Sequence, residues 1–232
     1  MIIGLGGNLS GGKTVTAVRF AYEQGLKGKK IISNIKLNFP ENINVEYMSN
    51  PEFIEFIKNN YENSDALKRK FYNTVFLADE IVHLLSGRRT TSTIAELLTN
   101  YFMMCGKLNQ DVVMTYQLGT SQLDNRIREA VMNKEGICLR CTQKGIVFDN
   151  SERILNEKIY ILIIWQTSLG FLGNKRGYEI YDPSIYFPMY DTREIVLMDR
   201  SVYLKGGEKD LTKKLKVNEK SINKTLNNFR FD

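Results

Sequence analysis

The stretch Ile2-Ile3-Gly4-Leu5-Gly6-Gly7-Asn8-Leu9-Ser10-Gly11-Gly12-Lys13-Thr14-Val15 decides the fold. Ile2 to Leu5 is a short apolar strand, and Gly7 to Thr14 satisfies G-x-x-x-x-G-K-[ST] in full. Glycines permit positive φ and let backbone N–H groups close around phosphate oxygens. A lysine at this spacing reaches the β and γ phosphates, and the hydroxyl after it ligates Mg²⁺. Val15 to Leu26 reads as a helix closed by Gly28. Its N-terminus is thereby aimed at the anion. The motif follows a strand and opens a helix, which a chance glycine turn need not do. Gly7, Asn8, Leu9, Ser10, Gly11, Gly12, Lys13, Thr14 and Val15 are the expected contacts of ATP, with Lys13 also catalytic and Thr14 on Mg²⁺.

The second half of such a site is an acid at the end of a neighbouring strand. Thr74-Val75-Phe76-Leu77-Ala78 is apolar on both faces, as a central parallel strand is, and Asp79-Glu80 closes it. An aspartate there holds Mg²⁺ and the adjacent glutamate polarises the attacking water. An acidic pair after a strand is otherwise a helix cap. Gln117 closes the run Asp111 to Gln117. A polar residue at such a strand end faces the ligand crevice of an open α/β sheet, where its amide bonds phosphate and water. The alternative is a surface glutamine.

Strand signals alternate with helix signals through the first 150 residues, the mark of a parallel α/β sheet. Further strands are expected at Lys30 to Leu37 and Gly136 to Thr142. Asn50-Pro51 looks like an N-cap and first-turn proline opening a helix to about Asn59. Thr93 and Glu96 form a capping-box pattern. Behind them Ile94, Leu97, Leu98, Tyr101, Phe102 and Cys105 keep the rhythm of a core-facing helix. From Gly145 onward β-rich stretches (Ile146 to Phe148, Lys158 to Trp165, Tyr178 to Ile180, Ile195 to Met198) should extend the sheet, partly antiparallel. The expected architecture is a P-loop NTPase three-layer sandwich with sheet order 5-1-4-3-2. Residues 1–204 form the ATPase domain and 205–232 a basic C-terminal tail.

Hydrophobic residues at 43% and charged residues at 25% exclude disordered and fibrous classes. The longest apolar run, Ile159 to Trp165, is far short of the roughly 20 residues that span a bilayer, so it reads as a buried strand. Met1 to Leu5 offers no signal peptide, and an intracellular protein is expected. Cys138-x-x-Cys141 invites a zinc reading, but only Cys105 and His83 remain to complete four ligands. In a strand those two cysteines point to opposite faces, and small buried residues is the better reading. Of the net charge of +6, the tail from Lys205 carries +4, with eight basic residues against four acids. A basic excess suits a polyanion, although a charged tail is more often a solvated end.

In Ser121 to Met132, Leu123, Ile127 and Val131 share one helical face, with Arg128 pointing away and Arg126 at its edge. Exposed arginines near a nucleotide crevice act in trans on a neighbour's γ-phosphate, or are ordinary solvated residues. Arg88 and Arg89, in the loop after the acidic pair, are the weaker candidates for DNA contact.

Together these residues resemble the FtsK–HerA superfamily of P-loop motors, above all its zonular-occludens-toxin-like branch and viral genome-packaging ATPases. The likeness rests on the glycine loop, on Gly28-Lys29-Lys30-Ile31-Ile32-Ser33-Asn34-Ile35, on the Asp79-Glu80 strand, on the strand ending in Gln117 and on the Asp124 to Arg128 phrase. It covers roughly residues 1 to 145. It implies ATP hydrolysis with Mg²⁺ by a homo-oligomeric ring, usually a hexamer, and Gln117 as sensor. It also implies translocation of double-stranded DNA, here the packaging of a viral genome into a capsid. The expected DNA contacts are Arg88, Arg89, Lys213, Lys214 and Lys216. The expected setting is the host cytoplasm, with association to a virion, a capsid vertex or a membrane-vertex protein. A toxin-like assembly or secretion ATPase and a plasmid conjugation motor are the alternatives. Toxin-like phage proteins usually carry a transmembrane helix after this domain, and none is evident in this sequence.

Overall fold

Residue Ile3, on the first strand, is paired on both sides by parallel neighbours, in register with Val113 and Ile137. The computed structural model describes residues 1–7, 11–81, 93–117, 126–127, 137–144, 147–148, 154–156, 160–168 and 174–191. In chain order the elements are β1 (Ile2–Gly7), α1 (Lys13–Leu26), β2 (Lys30–Ser33), β3 (Val45–Tyr47), α2 (Asn50–Asn60), α3 (Ser64–Phe71), β4 (Thr74–Ala78) and α4 (Thr93–Met103). They continue with β5 (Asp111–Gln117), β6 (Ile137–Lys144), β7 (Val147–Phe148), β8 (Ile154–Asn156), β9 (Tyr160–Ser168) and β10 (Asn174–Tyr181).

The main sheet runs β10-β9-β6-β1-β5-β4-β2-β3. Its middle, β6-β1-β5-β4-β2, is the 5-1-4-3-2 order expected of the five strands read from the sequence. β9 and β10 continue it antiparallel beyond β6. Three strands depart from expectation. β3 adds a sixth parallel strand, pairing with β2 from Ile31↔Val45 to Ser33↔Tyr47. β7 and β8 do not extend the sheet, because they pair with each other in a separate two-stranded ribbon. The expected strand at Ile195 to Met198 and the tail 205–232 lie outside the described residues.

Alternation along the strands sorts the side chains into two cores. Ile3, Leu5, Ile31, Val75, Leu77 and Val113 face α1, where they meet Ala17, Val18 and Ala21. On the other face Phe53 of α2 stacks on Phe76 of β4 at 4.5 Å between ring centroids. Phe71, Tyr101 and Phe102 close around Phe53. With α1 on one face and α2, α3 and α4 on the other, the three-layer sandwich is complete. In α4 Leu98, Tyr101 and Phe102 are buried, with Cys105 just beyond them, as the stripe required.

Two local boundaries move. β2 stops at Ser33 rather than Leu37, because the Ser33 hydroxyl accepts the Ile35 N–H at 3.2 Å and turns the chain. The N-cap of α2 is Ser49, not Asn50: Ser49 Oγ accepts from Glu52 N, and Glu52 Oε2 accepts from Ser49 N at 2.8 Å. Asn50 is the first helical residue, and its side chain is committed elsewhere.

Candidate functional site

Between β1 and α1 the chain makes a turn that glycine alone accommodates. Gly12 has φ 85°, and a Cβ there would overlap Cδ1 of Ile161, which reaches over from β9. The Gly12 carbonyl accepts the backbone N–H of Thr16 at 3.0 Å and its hydroxyl at 2.8 Å, locking the turn to the helix. The N-terminus of α1 has no side-chain cap and no acid in its first turn. Its first backbone N–H groups thus form a positive end suited to an anion. Lys13 is the first residue of that helix. Gly7, Gly11, Gly12, Thr14 and Val15 are in place around it. Asn8, Leu9 and Ser10 lie outside the described residues.

Opposite this loop stands the end of β4. Asp79 is buried, and the Thr14 hydroxyl donates to its two carboxylate oxygens at 3.0 and 3.2 Å. The Thr115 hydroxyl donates to Oδ1 at 2.7 Å. Burial pushes the Asp79 carboxyl above its ordinary value, and the bonds from Thr115 and Thr14 oppose that rise. The same Thr115 oxygen accepts the N–H of Glu80 at 2.8 Å. Glu80 is exposed and left-handed at φ 51°, a conformation disfavoured outside glycine. On the next strand Gln117 is exposed and in register with Gly7. The carboxyl ends of β1, β4 and β5 therefore bring the glycine turn, Asp79, Glu80 and Gln117 to one crevice, where open α/β sheets take ligands.

The residue chemistry fits a magnesium nucleotide. A hydroxyl and a carboxylate in contact form an all-oxygen donor pair of the type Mg²⁺ takes. The uncapped helix and the Cβ-free turn fit a phosphate chain. Of the expected arginines, Arg126 is described: it is exposed beside buried Ile127. Arg128, Arg88, Arg89, Lys213, Lys214 and Lys216 lie outside the described residues.

Sequence reasoning missed two contributors, Asn34 and Thr115. Asn34 accepts the Asp79 N–H at 2.7 Å and donates to the Asp79 carbonyl at 2.9 Å. A buried Asn after a strand, and a Thr two residues before Gln117, are the only signals the sequence offered. Tyr190 also approaches: burial pushes its hydroxyl up to about 12, and the Asp79 charge adds to the rise.

A strand, a glycine turn and a helix, faced by an acid at the end of a non-adjacent strand on a 5-1-4-3-2 sheet, define the P-loop NTPase fold. Within that class the chain belongs to the zonular occludens toxin (Zot) family, whose model matches residues 1–159. No curated protein matches the chain at a significant level. The N-terminal domain of zonular occludens toxin from Neisseria meningitidis has the same fold. That likeness covers 82% of this chain and 98% of that one, with TM-score 0.52 and 15% identity. Two other structures are similar in outline. The flagellar accessory protein FlaH from Methanocaldococcus jannaschii has TM-score 0.47 and 14% identity over 78% of this chain and 88% of that one. The genome packaging NTPase B204 from Sulfolobus turreted icosahedral virus 2, in complex with ATP-gammaS, has TM-score 0.47 and 11% identity over 78% and 96%. Among the described residues no helix is long and apolar enough to cross a membrane.

Proposed function

We propose that the protein hydrolyses ATP, as a subunit of a homo-oligomeric ring that moves double-stranded DNA, and that it packages a viral genome. The observation that carries the hydrolytic part is the chain of contacts Thr14–Asp79–Thr115–Glu80, which ties the phosphate loop to an exposed glutamate through two hydroxyls. Lys13 and the N–H groups of the glycine turn hold the phosphates, and Thr14 with Asp79 would hold Mg²⁺. Held there, the ion would supply positive charge against the charge that develops on the phosphates. Glu80 takes up the proton of the attacking water, while Gln117 orients that water beside Gly7. Arg128, or Arg126 in its place, reaches from one subunit to the γ-phosphate of the next. Arg88, Arg89, Lys213, Lys214 and Lys216 contact DNA phosphates, consistent with a net charge of +6 on each chain.

Membership in the zonular occludens toxin family favours a second reading, an ATPase that drives assembly or secretion at a membrane. One experiment separates the two. ATP turnover is measured with and without duplex DNA, across a range of salt. Stimulation that fades with salt supports the DNA motor, since phosphate contacts release counterions. Turnover indifferent to DNA moves the reading to assembly or secretion.

A further inference from the structure

We propose that Asn34 is a positioning residue that aims Glu80, by standing in for the strand that β2 fails to provide. The inference rests on Glu80 acting as the base. In the register of β2 with β4, Ser33 pairs with Leu77, so Ile35 would next be the partner of Asp79. The backbone turns away at Ser33 instead. The Asn34 side chain takes up both polar groups of Asp79, accepting from its N–H at 2.7 Å and donating to its carbonyl at 2.9 Å. One planar amide thus replaces the backbone partner of one residue.

The orientation of that amide is fixed, because turning it over would set N–H against N–H and oxygen against oxygen. Its Nδ2 also donates to Oδ1 of Asn50 at 3.1 Å, which ties it to the first turn of α2. Asn34 is 3% exposed, so water cannot replace these bonds. A continued β-ladder would keep Asp79 and Glu80 extended. A side-chain clamp on Asp79 alone leaves the next residue able to turn, and Glu80 adopts φ 51°. Such a conformation persists only where its surroundings over-determine it. Here they are Asn34 on one flank and Thr115, which accepts the Glu80 N–H, on the other. The hydrogen bonds of the Asn34 side chain go to the Asp79 backbone and to Asn50. Its effect passes through the Asp79 peptide to the direction of the Glu80 side chain.

A buried asparagine that merely completes a turn would affect stability and leave the chemistry alone. The full chain carrying Asn34→Ala is therefore compared with the wild type in ATP affinity, kcat and thermal midpoint. Misplacing a catalytic group by a fraction of an ångström predicts a kcat lower by ~10- to 100-fold, with ATP Kd within about 3-fold. On a Glu80→Gln background, where steady turnover is lost, the same change should lower the residual single-turnover rate by less than about 2-fold, since the base it positions is already gone. Should Asn34→Ala fail to fold, Asn50→Ala removes only the contact that braces the amide and should lower kcat by about 3-fold. A native kcat in the folded Asn34→Ala protein, a loss confined to stability, or an equal loss on both backgrounds overturns the inference. A native kcat in Asn50→Ala does so where Asn34→Ala cannot be read. If Glu80→Gln silences the enzyme and Asn34→Ala does not, the inference alone falls. If Glu80→Gln turns over at the native rate, the role of Glu80 falls with it.

Discussion

Replacing Gly12 by alanine should destabilise the protein through two separable terms. The first is backbone strain: at φ 85° a residue with a Cβ costs roughly 1–2 kcal/mol. The second is steric. The new Cβ would overlap Cδ1 of Ile161, and would lie 3.1 Å from its Cγ1 and 3.4 Å from its Cγ2. Ile161 is 1% exposed, packed with Val15, Ile163 and Tyr186, so its terminal methyl can move only by leaving a preferred rotamer. That displacement costs roughly 0.5–1.5 kcal/mol, giving a total of about 2–3 kcal/mol for Gly12→Ala. Ile161→Val deletes only the overlapping methyl and by itself costs about 1 kcal/mol. On that background the severe overlap is gone and Gly12→Ala should cost mainly the strain, roughly 1–2 kcal/mol. Urea denaturation of the four proteins gives the cycle, with an expected coupling of about 1 kcal/mol. Strict additivity would show that β9 does not press on the glycine turn. A neutral Gly12→Ala would refute the left-handed conformation as well.

Lys13→Ala should abolish ATP binding or turnover, while Glu80→Gln keeps binding and loses turnover, as isothermal titration and phosphate release would show. Gln117→Ala should slow kcat by ~10-fold or more with nucleotide affinity near native, because its amide acts mainly on the transition state. The mixing of inactive Arg128→Ala with inactive Glu80→Gln subunits should restore part of the activity, and no recovery despite proven co-assembly would remove Arg128 as the trans arginine. At Asp111, burial alone would raise the carboxyl, but hydrogen bonds from Lys29, at 2.5 Å, and from the Met1 ammonium outweigh it and hold the carboxyl below its ordinary value. A depressed folded value contributes stability above the ordinary 3.8 and loses it as pH falls through the folded value. Lys29→Met should therefore cost about 1 kcal/mol at pH 7 and progressively less below pH 4, read from denaturation midpoints.

The parts of this fold visible in the sequence are those governed by local chemistry. A glycine loop between a strand and a helix has one use, and the apolar run Thr74 to Ala78 ending in two acids names its own position beside it. Crossover connections then leave few sheet orders, and the expected 5-1-4-3-2 is the one found. What stayed hidden depends on distant partners. β3 is three residues long, too short for any periodicity, and exists because β2 offers it an edge. Ser49 outcompetes Asn50 as the cap because Asn50 is drawn 16 residues back along the chain to Asn34. Thr115 looked like one more β-branched residue in a buried strand, yet its hydroxyl joins Asp79 to Glu80. The need for glycine at position 12 was legible from the motif. The side chain that enforces it, Ile161, lies some 149 residues further on and could not be read from the sequence.

Most direct of all is the release of phosphate from ATP by the purified full chain with magnesium, run beside Glu80→Gln. The account predicts steady turnover by the wild type and retained ATP binding without turnover in the variant. Equal turnover by the two proteins, or none by a wild type that binds ATP, would contradict it.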